Sequence, residues 1–525
     1  MIQTQTKTQT KAYWVSDFSL TESDIEQIYN HLLEVERPQT ARELALVVME
    51  HRVAQEKNEI KKRLAGREVY QPKGHYEEGD ELVFPALNFT YGEVVGSRRG
   101  HNPEAGDFRV IQVVVGGKER EFASDLTSDH VLNQSDGSIF EAMEMISAED
   151  LHVLYGDSVA EQIAVELEER EAFIHLIDKW FLKGLLIEVN VGHLNLAEAV
   201  LEVSGGGTMP PEEILPFLEL ETDAPQETQV FSLNYALLQD RRFDEVAPRG
   251  EIGWYLRRME PSAVQETPGR LEYDAIPYNE RALTKELKLL VRELDDEWSD
   301  LEPATRPQPV VLALTYPHRW AGTLPLSART RPIFPTGRSP RHRVIFVDEQ
   351  SQEEIEGWVV EEGRYVYGLG DWYEENEIPI GGFISLRPGP EQGVLLLDYD
   401  RRRGQREWVR LAHVDEGNLR FELDRRTIAC GYDDLLIVGT DYVAAVDALW
   451  RQAEARDRSP ASLLREIFPE LADLNPQHTV HAKTLYSAIN MLRRMPPEVV
   501  FAELVENPVF VPVGDYYWQY DPAKG

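Results

Sequence analysis

The sequence predicts an α+β multidomain protein in which helical clusters closed by short β-hairpins are combined with a small β-barrel. Three observations predict it. At 525 residues the chain has room for about three to five domains, each with its own core. Helical periodicity ending in a hairpin with an aromatic residue on both strands recurs, as in Phe243…Trp254 and Phe510…Trp518. Short alternating strand patterns punctuated by glycine, at 76–126, read as a small barrel. A hydrophobic content of 42% and ten tryptophans exclude global disorder despite a net charge of −38. That charge argues against general coating of nucleic acid and against anionic membranes.

The opening MIQTQTKTQTK is polar and reads as a disordered tail, 1–18, rather than a secretory signal. Residues 19–75 read as three helices and a hairpin. Ile28, Leu32 and Leu33 form an apolar stripe, Pro38 stops it, and Thr40 with Glu43 makes a capping box for the second helix. A third helix, 54–64, carries Lys57, Lys61, Lys62 and Arg63, and 69–84 supplies the hairpin. Three helices then a hairpin is the order of a winged helix-turn-helix, which makes the third helix the expected DNA reader. Residues 76–130 read as a small β-barrel with Arg98 and Arg99 on an exposed basic loop. Residues 146–192 read as helical, with Ile163, Leu167, Phe173, Leu176 and Trp180 as core.

The first architecture returns at 193–262. A helix over 194–203 is closed by Gly205-Gly206-Gly207, and a second starts at Pro210-Pro211-Glu212-Glu213 with proline and acids at its positive end. A third covers 231–238, and a hairpin turns around Pro248-Arg249-Gly250. Residues 263–309 read as a helical linker, 310–455 as the segment whose fold the second resemblance below implies, and 456–525 as a C-terminal winged-helix-like module with helices over 479–495 and 497–505. Trp254 and Trp518 are expected to plug hairpins onto helices rather than to stack bases.

Two resemblances refine this. The motifs Glu213-Ile214-Leu215, Ser232-Leu233-Asn234-Tyr235-Ala236-Leu237 and Asp240-Arg241-Arg242-Phe243…Gly253-Trp254-Tyr255-Leu256 make residues 196–258 resemble the HARE-HTH winged helix. That module occurs in the delta subunit of bacterial RNA polymerase and in chromatin- and restriction-associated proteins. Its third helix here has no lysine or arginine before Arg241, so the resemblance implies protein docking more than groove reading. The series Leu324-Pro325-Leu326, Val344-Ile345-Phe346-Val347, Gly357-Trp358-Val359-Val360, Tyr365 to Tyr373 and Ile378-Pro379-Ile380 resembles a B3-type DNA-binding pseudobarrel over about 310–400. In that family edge arms enter the major groove, and the arm implied here is 326–343. The other arm, with Glu361, Glu362 and 371–377, is acidic.

The charge pattern points to the same arm. Residues 303–347 contain no Asp or Glu, where an even spread of 92 acids would put about eight. They hold Arg306, Arg319, Arg329, Arg331, Arg338, Arg341 and Arg343, and guanidinium makes bidentate contacts to phosphate and guanine that ammonium cannot. The DNA-binding candidates are therefore Arg319, Arg329, Arg331, Arg338, Arg341 and Arg343, with Lys57, Lys61, Lys62, Arg98 and Arg99 as a second set. No cofactor is expected. His478 and His481 lack a third ligand, no Walker or nucleophile-elbow spacing occurs, and Asp398-Tyr399-Asp400 before Arg401-Arg402-Arg403-Gly404 reads as a basic hairpin. One cysteine, Cys430, and no run of roughly 18 apolar residues lead to the expectation of a cytoplasmic chain without membrane contact. The expected function is that of a non-enzymatic DNA-binding or transcription-associated protein using the arginine-rich arm together with its winged helices, with double-stranded DNA as the partner. Two alternatives stand beside it: an acidic adaptor docking on RNA polymerase or another basic protein, and a restriction-type effector with an unrecognised nuclease site.

Overall fold

The computed structural model describes residues 7–64, 68–84, 87, 90–102, 106–127, 130, 133, 146–205, 207–248, 250–455 and 458–524. It is a mixed α+β chain with several separate sheets. It divides into two units, Met1–Val189 with Leu220–Tyr235, and Asn190–Glu219 with Ala236–Gly525.

In the first unit the helix Glu22–Val35 opens on a Thr21–Asp24 capping box, and Arg52 grips Asp24 at 2.6 Å. Thr40 and Glu43 cap the next helix as expected, with the Thr40 N–H donating to Glu43 at 2.7 Å. That helix, Ala41–Leu64, is continuous, so the separate third helix expected over 54–64 does not exist. No glycine or proline interrupts those 24 residues, and Leu44, Ala45, Val48, Met49 and Val53 keep one face buried. Among the described residues the third helix of this cluster is Ala148–Glu168, and the hairpin closing it is Phe173–Leu176 with Lys179–Leu182. The latter strand pairs with Gln39–Thr40. The helical reading of 146–192 is thus corrected beyond Glu168. Ile177 turns the chain with φ 69°, and Trp180 and Leu182 are buried as strand residues.

The expected tail is corrected over residues 7–18, residues 1–6 lying outside the described ones. Tyr13–Asp17 forms a helical turn, and Trp14 lies wholly buried with Phe18 against Ile25, Val48 and Leu151. Between Ala41–Leu64 and Ala148–Glu168 a five-stranded sheet runs in chain order through Glu68–Val69, Glu81–Phe84, Thr90–Arg99, Arg109–Val115 and Lys118–Ser124. Its ends are drawn together where Asp125 N–H donates to Gly74 and Leu126 N–H to Pro72, around a core of Tyr70, Tyr76, Phe84 and Ile111.

The second unit centres on a seven-stranded sheet. Its order is Val310–Ala313, Phe383–Pro388, Val394–Tyr399, Arg341–Asp348, Glu354–Val360, Tyr365–Tyr367, Thr323–Pro325, and its parallel pairing joins Arg341–Asp348 to Val394–Tyr399. A flat sheet of seven strands would separate its edges by about 29 Å. The edge strands are joined by 314–322 alone, mostly the helix Tyr316–Ala321, which reaches about 20 Å. The sheet therefore curls into a half-barrel around Leu324, Phe346, Val359, Trp372, Tyr373 and Leu395.

This sheet ends at Tyr399, short of the barrel expected to run to 455. Beyond it the chain forms a two-stranded ribbon, Arg401–Asp415 with Asn418–Cys430. The C-terminal part holds the helices Val443–Ala455, Pro460–Ala472, Ala482–Ile489 and Pro497–Glu506 and a sheet ordered Thr479–His481, Tyr517–Tyr520, Phe510–Gly514. The expected helix over 479–495 begins instead with a strand, because Val480 is claimed by cross-strand pairing with Trp518. Residues 263–309 are no linker. The helix Lys285–Leu294 puts Leu287, Leu290 and Val291 into the same core as Phe468, Leu485 and Phe501.

Candidate nucleic-acid interface

The arm expected to reach for DNA is sewn into the second unit. Ile333 and Phe334 are buried in the half-barrel core, and Gly337 bridges to Pro248. Arg319 lies between Trp320 and Tyr373 and donates to the Ile378 carbonyl at 2.8 Å, and burial lowers its pKa. Arg329 pairs with Asp295 at 3.0 Å, Arg331 with Glu361 at 3.8 Å and Arg341 with Glu260 at 3.3 Å. Arg338 donates to the Glu251 carbonyl at 2.7 Å and stands 3.9 Å from Glu245. Arg343 reaches Glu356 at 2.8 Å and Thr208 at 2.6 Å, with its guanidinium over Tyr255 and Trp358. The acids missing from this stretch of sequence come back in space from 245, 260, 295, 356 and 361.

Several of these carboxylates are themselves marginal as ions. Burial raises Asp295 above the usual carboxylate range despite Ser327 and Arg329, and raises Glu245 despite two backbone donors. Glu260 is pushed up to about 7, chiefly by burial and then by Asp244, against the pull of Arg341. Arginines facing such groups are intramolecular clamps, because withdrawing one strands a buried charge.

The second set of candidates is divided. Arg98 pairs with Glu121 at 2.6 Å and Arg99 with Asp107 at 2.5 Å, both on a strand rather than a loop. Lys57 and Lys62 stand exposed near the end of the long helix, while the side chains of Lys61 and Arg63 lie outside the described residues. The helix Ala148–Glu168, which takes the third helix's place, has six acids and no lysine or arginine, so it repels phosphate. The histidines at 478 and 481 part company. His481 is buried, accepts from the Lys483 N–H and is driven down to about 4 by burial and by Lys483, whereas His478 faces Asp473. Asp398 and Asp400 are held by Arg401 and Arg402.

The most deeply buried polar cluster, Asp296, Glu297, His318, Tyr486 and Arg494, is closed on itself. Arg494 donates to both Asp296 oxygens at 2.7 Å and to Glu297 at 2.6 Å, and Tyr486 donates to Asp296. Burial alone would raise Glu297, but Arg494 and His318 outweigh it and hold the carboxyl well below its usual range. Its physical role is to lock 295–298 onto the C-terminal helices.

The ribbon is different. Its half near Tyr399 buries Val409, Leu411, Ile428 and Cys430 against Val438 and Tyr432. Its half near the turn buries the opposite face, Ala412, Leu419 and Phe421, against the C-terminal core. Side chains alternate across a strand, so this change of buried face leaves Arg406, Trp408, Arg425 and Thr427 together on an open face. Trp408 is 64% exposed and sits directly opposite Arg425, whose guanidinium lies 5.6 Å from the ring centre. The register shift between Arg401 and Gln405 marks a bulge that re-aims Arg402 and Arg403.

Residues 401–430 carry eight arginines against five acids, a local surplus of three positive charges in a chain of −38. Arg401, Arg402, Arg420 and Arg426 are paired with carboxylates, and Arg410 donates to the Asp434 carbonyl. Among the described residues Arg403, Arg406 and Arg425 are exposed with no carboxylate partner. The run Arg401-Arg402-Arg403 is visible in the sequence, but Trp408 and Arg425 are not, because only the strand register brings them together. Comparison with protein-family models, with curated proteins and with solved structures finds no match.

Proposed function

We propose that this chain is a non-enzymatic, transcription-associated nucleic-acid-binding protein whose contact surface is the open face of the ribbon. The observation that carries the reading is the exposed Trp408–Arg425 pair beside Arg406, with Arg403 exposed in the bulged stretch before them, cations left uncompensated in a chain that pairs most arginines of its acid-free arm. Aromatic residues beside arginines on an exposed strand face are what bases and phosphates bind. The element order of the first unit supports a winged-helix reading, with the small sheet inserted before the helix Ala148–Glu168. The half-barrel with its helix Tyr316–Ala321 supports the B3-like reading of 310–399. In neither does the expected reading surface offer a free arginine cluster, so these modules act as scaffold.

The test is fluorescence anisotropy of the full chain on labelled nucleic acid across a salt series. Replacing Arg403, Arg406 and Arg425 with Ala should weaken binding and lower the salt slope by roughly 0.7–0.9 for each phosphate no longer neutralised. An unchanged slope in that variant, with binding lost instead when Arg331 and Arg338 are replaced by Ala, would return the interface to 326–343.

A second reading, docking on RNA polymerase or another basic protein, is favoured by one feature. The helix Ala148–Glu168 exposes Val153 at 73%, Leu154 at 61% and Val165 at 67% on the same helix as Asp157, Glu161 and Glu168. Apolar tips among acids suit a basic amphipathic partner.

A further inference from the structure

We infer that the ribbon takes single-stranded nucleic acid in preference to duplex, with an unpaired base stacked on Trp408; this rests on the ribbon being the nucleic-acid surface. The first ground is where tryptophan is spent. Trp14, Trp180, Trp254, Trp358, Trp372, Trp450 and Trp518 are buried and Trp298 and Trp320 half-buried, leaving Trp408 as the one exposed indole of ten. It does not serve the core, since Val409 and Leu411 on the other face do that. A flat aromatic held on a strand whose two ends are anchored is a preorganised platform, and every base offers a π-face to it.

Those faces are available only where bases are unpaired. In a duplex each is covered by its neighbours, so Trp408 would stand idle or collide with the groove wall, and only Arg403, Arg406 and Arg425 would find partners.

The second ground is electrostatic. Entering a major groove about 12 Å wide brings two phosphate walls against the ribbon flanks. Glu407, Glu422 and Asp424 share the opposite face of the ribbon, where Arg426 also draws in Asp441, while Asp415 and Glu416 lie at the turn and Asp400 beside Arg402 at the other end. A single strand presents phosphates on one side and can bend away from those acids. Arg406 and Trp408 lie two residues apart on one face, about 7 Å along the strand, so one side chain meets a phosphate while the other stacks on a base beside it. Arg425, opposite Trp408, closes the arrangement by holding the ring and lending it positive charge.

The experiment uses the full chain and two fluorescein-labelled probes, oligo-dT of about 20 nucleotides and a duplex of the same length. Variants are Trp408→Ala, Trp408→Phe, which keeps a stacking ring, and Arg403→Ala/Arg406→Ala/Arg425→Ala. All positions are exposed, and unchanged melting curves verify folding. The expected result is affinity for oligo-dT about ten-fold above duplex, loss of about ten-fold on oligo-dT in Trp408→Ala, and retention in Trp408→Phe. Equal affinity for both probes, or a Trp408→Ala chain that binds oligo-dT like wild type, would overturn the inference. If the triple arginine variant loses both probes while Trp408→Ala loses neither, the ribbon remains the binding surface and only the single-strand preference falls. If neither variant matters, both readings fall.

Discussion

Replacing Arg341 with Met separates a clamp from a phosphate ligand. Arg341 is 24% exposed and Glu260 wholly buried, and the pair lies 3.3 Å apart, with a second Arg341 nitrogen donating to the Gln265 carbonyl at 3.0 Å. Removing one partner of a buried pair costs about 3–5 kcal/mol when the other is left charged. The pH dependence makes the prediction specific. Glu260 titrates near 7 in the native chain against an ordinary 4.5, so between those values the folded state holds a proton that the unfolded state has released. Wild-type stability therefore falls as pH rises through that window, by roughly 3 kcal/mol at most. Without Arg341 the folded carboxyl rises further and the falling limb extends above 7. The gap between variant and wild type should be about 1 kcal/mol or less at pH 5, where both hold Glu260 neutral, and should widen by about 1.4 kcal/mol at most by pH 8, because a carboxyl that escapes ionisation by keeping its proton loses only that much per pH unit above 7. Urea unfolding gives the global value, and hydrogen exchange in Phe243–Glu245, Trp254–Leu256 and Arg341–Asp348 reads it locally. A small gap independent of pH, together with lost affinity for nucleic acid, would refute the clamp and restore the arm as a binding surface.

The same structure sets three other outcomes. Trp254→Ala or Trp518→Ala should each destabilise by about 3–5 kcal/mol, since both rings are buried in hairpin cores, and differential scanning calorimetry would detect it. Glu498 is pushed up to about 7 by burial and by Asp296, so stability it withholds above pH 7 is regained as pH falls toward 4.5. Glu498→Gln should accordingly melt higher than wild type at pH 8 and alike at pH 5. Replacing Val153, Leu154 and Val165 with Ser should leave the melting temperature unchanged, because the side chains are exposed, while lowering binding of a Lys/Leu amphipathic peptide measured by calorimetry. Equal binding by that charge-matched variant would dismiss the helix as a docking face.

Much of the local structure is legible in the sequence because it is decided locally. The capping box at Thr40 and Glu43, the proline start at Pro211, and the hairpins at 243–256 and 510–520 depend on residues within a few positions of one another. Local reading fails where a distant partner chooses between two conformations. Trp180 fits an apolar helix stripe as well as a strand, and it becomes a strand residue because Gln39 pairs beside it. Val480 is taken from a helix in the same way by Trp518. The third helix of the first cluster is hidden from such reading because a whole sheet, 68–124, is inserted before it.

By itself the sequence determined the α+β composition, the positions of caps and turns, the burial of Trp254 and Trp518, and the existence of an arginine-rich, acid-free stretch at 303–347. Only the tertiary structure decided what those arginines do. Charge counted along a chain ignores groups distant in sequence that folding brings within an ion pair's reach, and Coulomb attraction in a poorly solvated interior far exceeds what the same pair would feel in water. Arg329, Arg338, Arg341 and Arg343 consequently close on Asp295, Glu245, Glu260 and Glu356. Arg406 and Arg425 stay open beside Trp408, with Arg403 exposed farther along the first strand, because the ribbon changes its buried face halfway along and turns that side of its first half toward water.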